Sequence, residues 1–317
     1  MVGCHTYHIK TFDLTIVNIS QIIVRSICNA AVPIFLAISG YLVVQSVERY
    51  DTAGGLDYIK YIKAKALRVY YPCLIYSAGW FILDLPNMNS YVYYLKQIIT
   101  FFLCGYSVYY FVIVIMQCYI LAPTLVKHPK ISLIVACAVS MIMIIITSYI
   151  INIQMVVLPL IVYAGPVYLW IIFFMLGIFF RKFGYLKSPI IGGGLALIGL
   201  GLQIGEMYYI YSLNGSCRTG IKPSSFIFSI GVIMLLFSTP VRSLFLRFIS
   251  SKYIQWLGAT SFTVYLIHMY PLLIINHYID TDNWFFEWGL CLSITVGIVY
   301  ILDFLIKTNR LRKLLGL

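Results

Sequence analysis

The chain has 317 residues, of which 62% are hydrophobic and 10% charged, with a mean hydropathy of +0.93. A water-soluble protein carries roughly 25% charged residues, so the composition excludes a soluble enzyme and a disordered chain. The 22 Lys and Arg against 10 Asp and Glu leave a net charge of +12, which suits a nucleic-acid binder unless the cations have another use.

Apolar runs of membrane length predict nine complete spans, at residues 28–46, 69–86, 107–126, 131–151, 161–180, 189–211, 225–240, 257–276 and 286–306. Each is close to the roughly 20 residues that cross a hydrocarbon layer as a helix. Pro159, Gly165 and Pro166 set the break before the fifth. The fold class is therefore an all-α polytopic membrane bundle, with residues 1–317 as one membrane domain.

The connecting segments alternate in charge. Residues 47–68, 127–130, 181–187, 241–252 and 307–317 hold 17 of the 22 cations, while Lys10, Arg25, Lys96, Arg218 and Lys222 hold the rest. By the positive-inside rule the first set and the C-terminus are cytoplasmic. The basic excess thereby becomes an orientation, and no nucleic-acid partner is needed to explain it. Nine spans with an inner C-terminus put residues 1–27 outside, yet no signal peptide opens the chain. The expectation is a tenth span, of which this chain keeps only the outer stub. Most of the eight cysteines sit in or beside apolar runs, where they act as small hydrophobes. Cys4 and Cys217 are the outer pair. No metal-ligand spacing such as C-x-x-C occurs.

Polar groups at membrane depth are costly and point to function or to helix contacts. In chain order the first are His5 and His8, in Met-Val-Gly-Cys-His-Thr-Tyr-His. Histidine is suited to moving a proton near neutral pH, although both could be solvated at an outer helix end. Next come Ser39, Gly40 and Tyr41, for which close helix packing is the plainer account. Lys65 and Arg68, three residues apart before Pro72, share a helix face and can grip phosphates. Alternatively they are ordinary headgroup anchors. Ser261, Tyr265 and His268, at i, i+4 and i+7, line one face of the eighth complete span. They either border a cavity or hydrogen bond between helices. Asp303 has Lys307 one turn on as its expected partner.

The order and spacing of these stretches resemble the integral-membrane acyltransferase family 3, O-acyltransferases of bacterial surface glycans, over nearly the whole chain. The resemblance is carried by Phe35 to Tyr41, Lys65 to Pro72, Tyr109-Tyr110-Phe111 through Gln117, Tyr119 and Pro123, Ser261 to His268, and the ending Asn309 to Gly316. It implies ten spans with both ends of the core inside, matching the charge pattern. It implies that His5 is the catalytic base or acyl relay, and that Lys65 and Arg68 stand where the family has Arg-x-x-Arg. Lys keeps the charge of the first Arg and loses its fork. The family's Arg eleven positions before the histidine falls ahead of Met1.

The resemblance further implies acetyl-CoA or another acyl-CoA as the cytoplasmic donor and an extracytoplasmic polysaccharide or lipid-linked glycan as acceptor, with no permanently bound cofactor and no metal. Ser39, Tyr265 and His268 join Lys65 and Arg68 as substrate-lining residues. The setting is a bacterial inner membrane, among lipids and without nucleic acid. Two other readings stand beside it: a glycan or small-molecule exporter, whose substrate pathway also needs mid-depth polar residues, and an inactive truncated family member.

Overall fold

The structure, a computed structural model, describes residues 16–52, 55–215, 220–279 and 283–317. His5, His8, Cys4 and Cys217 lie outside the described residues. In chain order the helices are α1 (Ile16–Cys28), α2 (Ala31–Tyr50), α3 (Tyr58–Asp84), α4 (Tyr91–Phe102), α5 (Tyr110–Lys127), α6 (Pro129–Ser148), α7 (Leu160–Ala164) and α8 (Val167–Phe183). They continue with α9 (Ile190–Asn214), α10 (Pro223–Leu236), α11 (Thr239–Phe248), α12 (Lys252–Ile267), α13 (Met269–Tyr278), α14 (Trp284–Leu305) and α15 (Asn309–Leu315). A two-residue hairpin, Asp51–Thr52 with Gly55–Leu56, joins α2 to α3.

The fold is an all-α polytopic membrane bundle. Each expected span overlaps helical residues, although 161–180 falls on two separate helices, α7 and α8, and 225–240 runs beyond the end of α10. Among the described residues, five stretches are long and apolar enough to cross a membrane: Ser20–Tyr50, Tyr110–Lys127, Pro129–Ile153, Ile190–Asn214 and Trp284–Leu305. The pair α12 and α13, bent by 51°, makes a sixth if it is one span. Ile134, Ile142, Ile198 and Phe304 are among the exposed apolar side chains on these helices, as a lipid-facing surface requires.

Three elements differ from expectation. Helix α1 precedes the first predicted span, because Ser20, Gln21, Arg25 and Ser26 dilute its hydropathy. Helix α9 meets its end, where the Gln203 side chain donates to the Ser26 carbonyl at 3.3 Å and accepts from Asn29 at 2.6 Å. Helix α3 starts at Tyr58, well ahead of the span predicted from residue 69, so the helix that carries Lys65 and Arg68 is continuous with that span. The eighth span breaks at His268, three residues before Pro271, whose ring nitrogen cannot donate to the carbonyl one turn back.

The main core is built by α2, α5, α6 and α8 around Leu36, Ala37, Val43, Val114, Phe173 and Phe174. Without water there is no hydrophobic drive between spans, so close backbone approach at small residues holds them together. Helices α2 and α8 touch at Gly40 and Gly177: a Cβ on Gly40 would overlap the Phe174 carbonyl, and one on Gly177 the Ala37 carbonyl. Helices α9 and α10 meet the same way through Gly199 and Gly231.

The basic connecting segments gather at one end. Lys182 pairs with Glu48 at 2.7 Å, Lys130 lies 5.6 Å from the Phe183 ring and Arg242 4.5 Å from the Tyr185 ring. The backbone of Leu186 bonds Phe237 and Thr239. Gly40→Ala should therefore lower the melting temperature of the detergent-solubilised protein, by a stability loss of about 1–3 kcal/mol. Gly201→Ala, where an added Cβ meets nothing within 4 Å, should leave melting unchanged; equal melting of both variants would refute the crossing as the tight contact.

Candidate functional site

The site begins with the capping of α3. Asp57 accepts the Lys60 backbone N–H at 3.1 Å and pairs with the Lys60 ammonium at 2.8 Å, an N-cap with its cation one turn on. The Lys60 side chain holds the Asp57 carboxyl below its usual range. One turn later Tyr61 is fully buried, and its hydroxyl donates to the Tyr119 carbonyl at 2.9 Å. Tyr58 reaches the Ile120 carbonyl at 3.2 Å. These bonds fix the rotation of α3 against α5. Tyr61, Lys65 and Arg68 stand at i, i+4 and i+7 on one helical face, so burying Tyr61 directs both cations to the same place.

That place is a cavity of about 260 Å³ at the basic end, bordered by Ser39, Lys65, Arg68, Tyr119, Phe262 and Lys313 and closed by Gly316 and Leu317. Three of the residues singled out in the sequence, Ser39, Lys65 and Arg68, thus meet. Gly40 is spent on the contact with α8, while Ser39 beside it turns to the cavity. A second cavity of about 480 Å³ adjoins, lined by Lys63, Leu67, Arg68, Tyr71, Lys313 and Leu314. Arg68 and Lys313 border both cavities.

No Asp or Glu lines either cavity among the described residues. Burial, then the Arg68 and Arg49 charges, push the Lys65 ammonium below its ordinary pKa. Cations crowded without a counterion favour an anion with several oxygens.

Lys313 is the residue that sequence reasoning missed. It stands on α15, which a hydrogen-bonded latch holds over the site. Arg312 pairs with Asp303 at 2.5 Å and donates to the Asp303 and Ile306 carbonyls at 3.3 Å each, while the Trp256 indole donates to Asp303 at 2.9 Å. Thr263 donates to the Gly316 carbonyl at 2.7 Å. Asp303 therefore takes Arg312 as its ion partner, not the Lys307 that the one-turn spacing suggests, because α14 ends at Leu305 and the chain turns back.

Tyr265 and His268 line neither of these cavities. The Tyr265 hydroxyl donates to the Val108 carbonyl, and the Tyr109 hydroxyl returns a bond to the Leu266 carbonyl at 2.5 Å. His268 is fully buried at the bend, its Nδ1 2.6 Å from the Tyr265 carbonyl, and its own carbonyl accepts from Cys291 at 3.4 Å. The pair belongs to an interhelical hydrogen-bond node.

At the opposite end lies a cavity of about 270 Å³, bordered by Arg25, Asn29, Tyr110, Tyr163, Trp170 and Ser225. Sequence reading assigned this wall no role. Tyr265 stands between the two ends: its ring packs on Phe262 of the basic cavity with centroids 6.2 Å apart, and its hydroxyl binds Val108, which lines the far cavity.

Tyr265→Phe removes the side-chain donor from the Val108 carbonyl, which keeps the Tyr110 N–H, and should cost about 0.5–1.5 kcal/mol of stability. A lowered melting temperature with unchanged anion binding at the basic end is the expected outcome; an unchanged melting temperature would refute the structural role.

The family model described as an acyltransferase domain matches residues 1–304. No curated protein and no solved structure gives a significant match.

Proposed function

The chain belongs to acyltransferase family 3, and we propose that this multi-pass membrane acyltransferase moves an acyl group, acetyl in the first instance, from cytoplasmic acyl-CoA to a hydroxyl of an extracytoplasmic polysaccharide or lipid-linked glycan. The observation that carries the donor half is the cavity in which Lys65 and Arg68 converge, with no Asp or Glu lining it among the described residues. Coenzyme A is a phosphate-rich anion on a long neutral arm. Arg68 grips phosphate as a fork and Lys65 as a point charge, and the arm continues toward Ser39 and Tyr119. The aromatic and hydroxyl-rich wall at the other end, with Tyr110, Tyr163, Trp170 and Ser225, suits a sugar, which stacks on rings and hydrogen bonds at its edges.

In the reaction the acceptor oxygen attacks the thioester carbonyl, the new C–O bond replaces the C–S bond, and coenzyme A leaves as the thiol. His5, placed in this role by the family resemblance and lying outside the described residues, takes the hydroxyl proton as general base. The proton then leaves with the sulfur. The basic end is the cytoplasmic one on this reading, as the positive-inside rule requires.

The test is transfer of labelled acetyl from acetyl-CoA to membrane glycan. Transfer should vanish in His5→Ala; in Arg68→Gln the KM for acetyl-CoA should rise about tenfold to a hundredfold, the loss of a charged hydrogen bond. Export of a glycan without consumption of acetyl-CoA would favour a transporter instead. Because Lys65 sheds its proton below the ordinary lysine pKa, donor affinity should fall as pH rises through that lowered value. Lys65→Arg, which keeps its charge, should flatten the profile; a wild-type profile that is already flat would remove Lys65 from the donor site.

A further inference from the structure

The donor reading uses the cations of α3 alone, and the family model ends at residue 304, before α15 begins. Yet Lys313 of α15 borders both basic cavities, as Arg68 does. We propose that α15 is the second wall of the donor site, with Lys313 a phosphate-binding residue and the Asp303–Arg312 ion pair the device that positions it. The inference rests on the acyl-CoA reading and deepens it.

Three observations converge. First, the larger cavity holds Lys63, Arg68 and Lys313, and the smaller holds Lys65, Arg68 and Lys313, with no carboxylate lining either among the described residues. Two phosphate-sized groups can be met in series, with the Arg68 and Lys313 pair at the junction. Second, α15 has only seven residues, too short to be stable by its own helix propensity. Its place comes from bonds made by side chains of other helices: Asp303, itself held by the Trp256 indole, on Arg312, and Thr263 and Tyr76 on the carbonyls of Gly316 and Leu315 at its end. Third, the bonds fall on both sides of Lys313, so the ammonium is delivered to the cavity by a fixed backbone. Asp303 already has Arg312 and Trp256 as partners, which keeps its carboxylate from neutralising Lys313.

A phosphate-binding residue discriminates between donors with and without phosphates, and a merely structural one does not. The full chain in membranes is therefore assayed with acetyl-CoA and with acetyl-pantetheine, which carries the same thioester and no phosphate. Lys313→Ala should raise the KM for acetyl-CoA about tenfold, equivalent to about 1.4 kcal/mol, with kcat and the KM for acetyl-pantetheine unmoved. Lys313→Arg should restore the wild-type KM. Asp303→Asn should copy the acetyl-CoA defect of Lys313→Ala, and Asp303→Glu should rescue it. An unchanged acetyl-CoA KM in Lys313→Ala would overturn the proposal while leaving Lys65 and Arg68 as the donor site. Equal damage to both donors would also overturn it, by showing a structural role. Failure of the wild-type chain to use either donor would refute the acyl-transfer reading itself.

Discussion

Helices α2 and α8 cross with almost no side chain between them, because Gly40 and Gly177 let each backbone rest on the other. Much else follows from that contact. With the Gly40 face committed to α8, the neighbouring side chains of α2 are turned to other sectors, about 100° per residue. Ser39 is rotated into the basic cavity. Tyr41 is rotated to the end of α8, where its hydroxyl accepts from Arg181 at 3.2 Å and its ring lies 5.1 Å from the guanidinium. The same crossing buries Leu36, Ala37 and Val43 against Phe173 and Phe174 and thereby places α5, whose Tyr119 carbonyl is the anchor for Tyr61. The orientation of Lys65 and Arg68 is thus inherited from two glycines on other helices.

Around that frame, many polar side chains find a partner, which a poorly solvated interior favours. Gln203 meets Ser26 and Asn29, Gln117 meets Gly165 and Val167, and Tyr265 meets Val108. Lys65, Arg68 and Lys313 instead converge on a space with no acidic lining residue among those described. A cluster of like charges of this kind favours an anion with several oxygens.

How much of this was legible depended on the distance over which each contact acts. The charge-rich segments were legible as a group because charge alternates segment by segment along the chain, and the structure gathers Glu48, Lys130, Lys182 and Arg242 at one end. Lys65 and Arg68 were legible because a three-residue spacing is local. Lys313 was not, since only the Asp303–Arg312 and Thr263–Gly316 contacts bring it there, and nothing in the basic tail distinguishes it from Arg310. The helical face of Tyr265 and His268 was right in register, but register cannot say what a face meets; here it meets backbone carbonyls. The break at His268 did leave a sign, Pro271, whose consequence for the preceding turn was available from its ring alone.

The two ends differ in chemistry in a way that constrains how a transfer across the bundle has to run. Charged groups gather at the basic end, and the other cavity offers rings and hydroxyls with Arg25. Carrying phosphates through the packed region of Phe262, Tyr265 and Val108 would strip several charges of solvent, at a cost no observed cation inside that region offsets. A neutral thioester arm has no such penalty. On the proposed reading, then, the donor keeps its charged end at the mouth and extends its neutral end inward, and the acceptor hydroxyl approaches from the far side. On that reading the length of the neutral arm, more than the affinity of either cavity, would let one bundle serve both substrates.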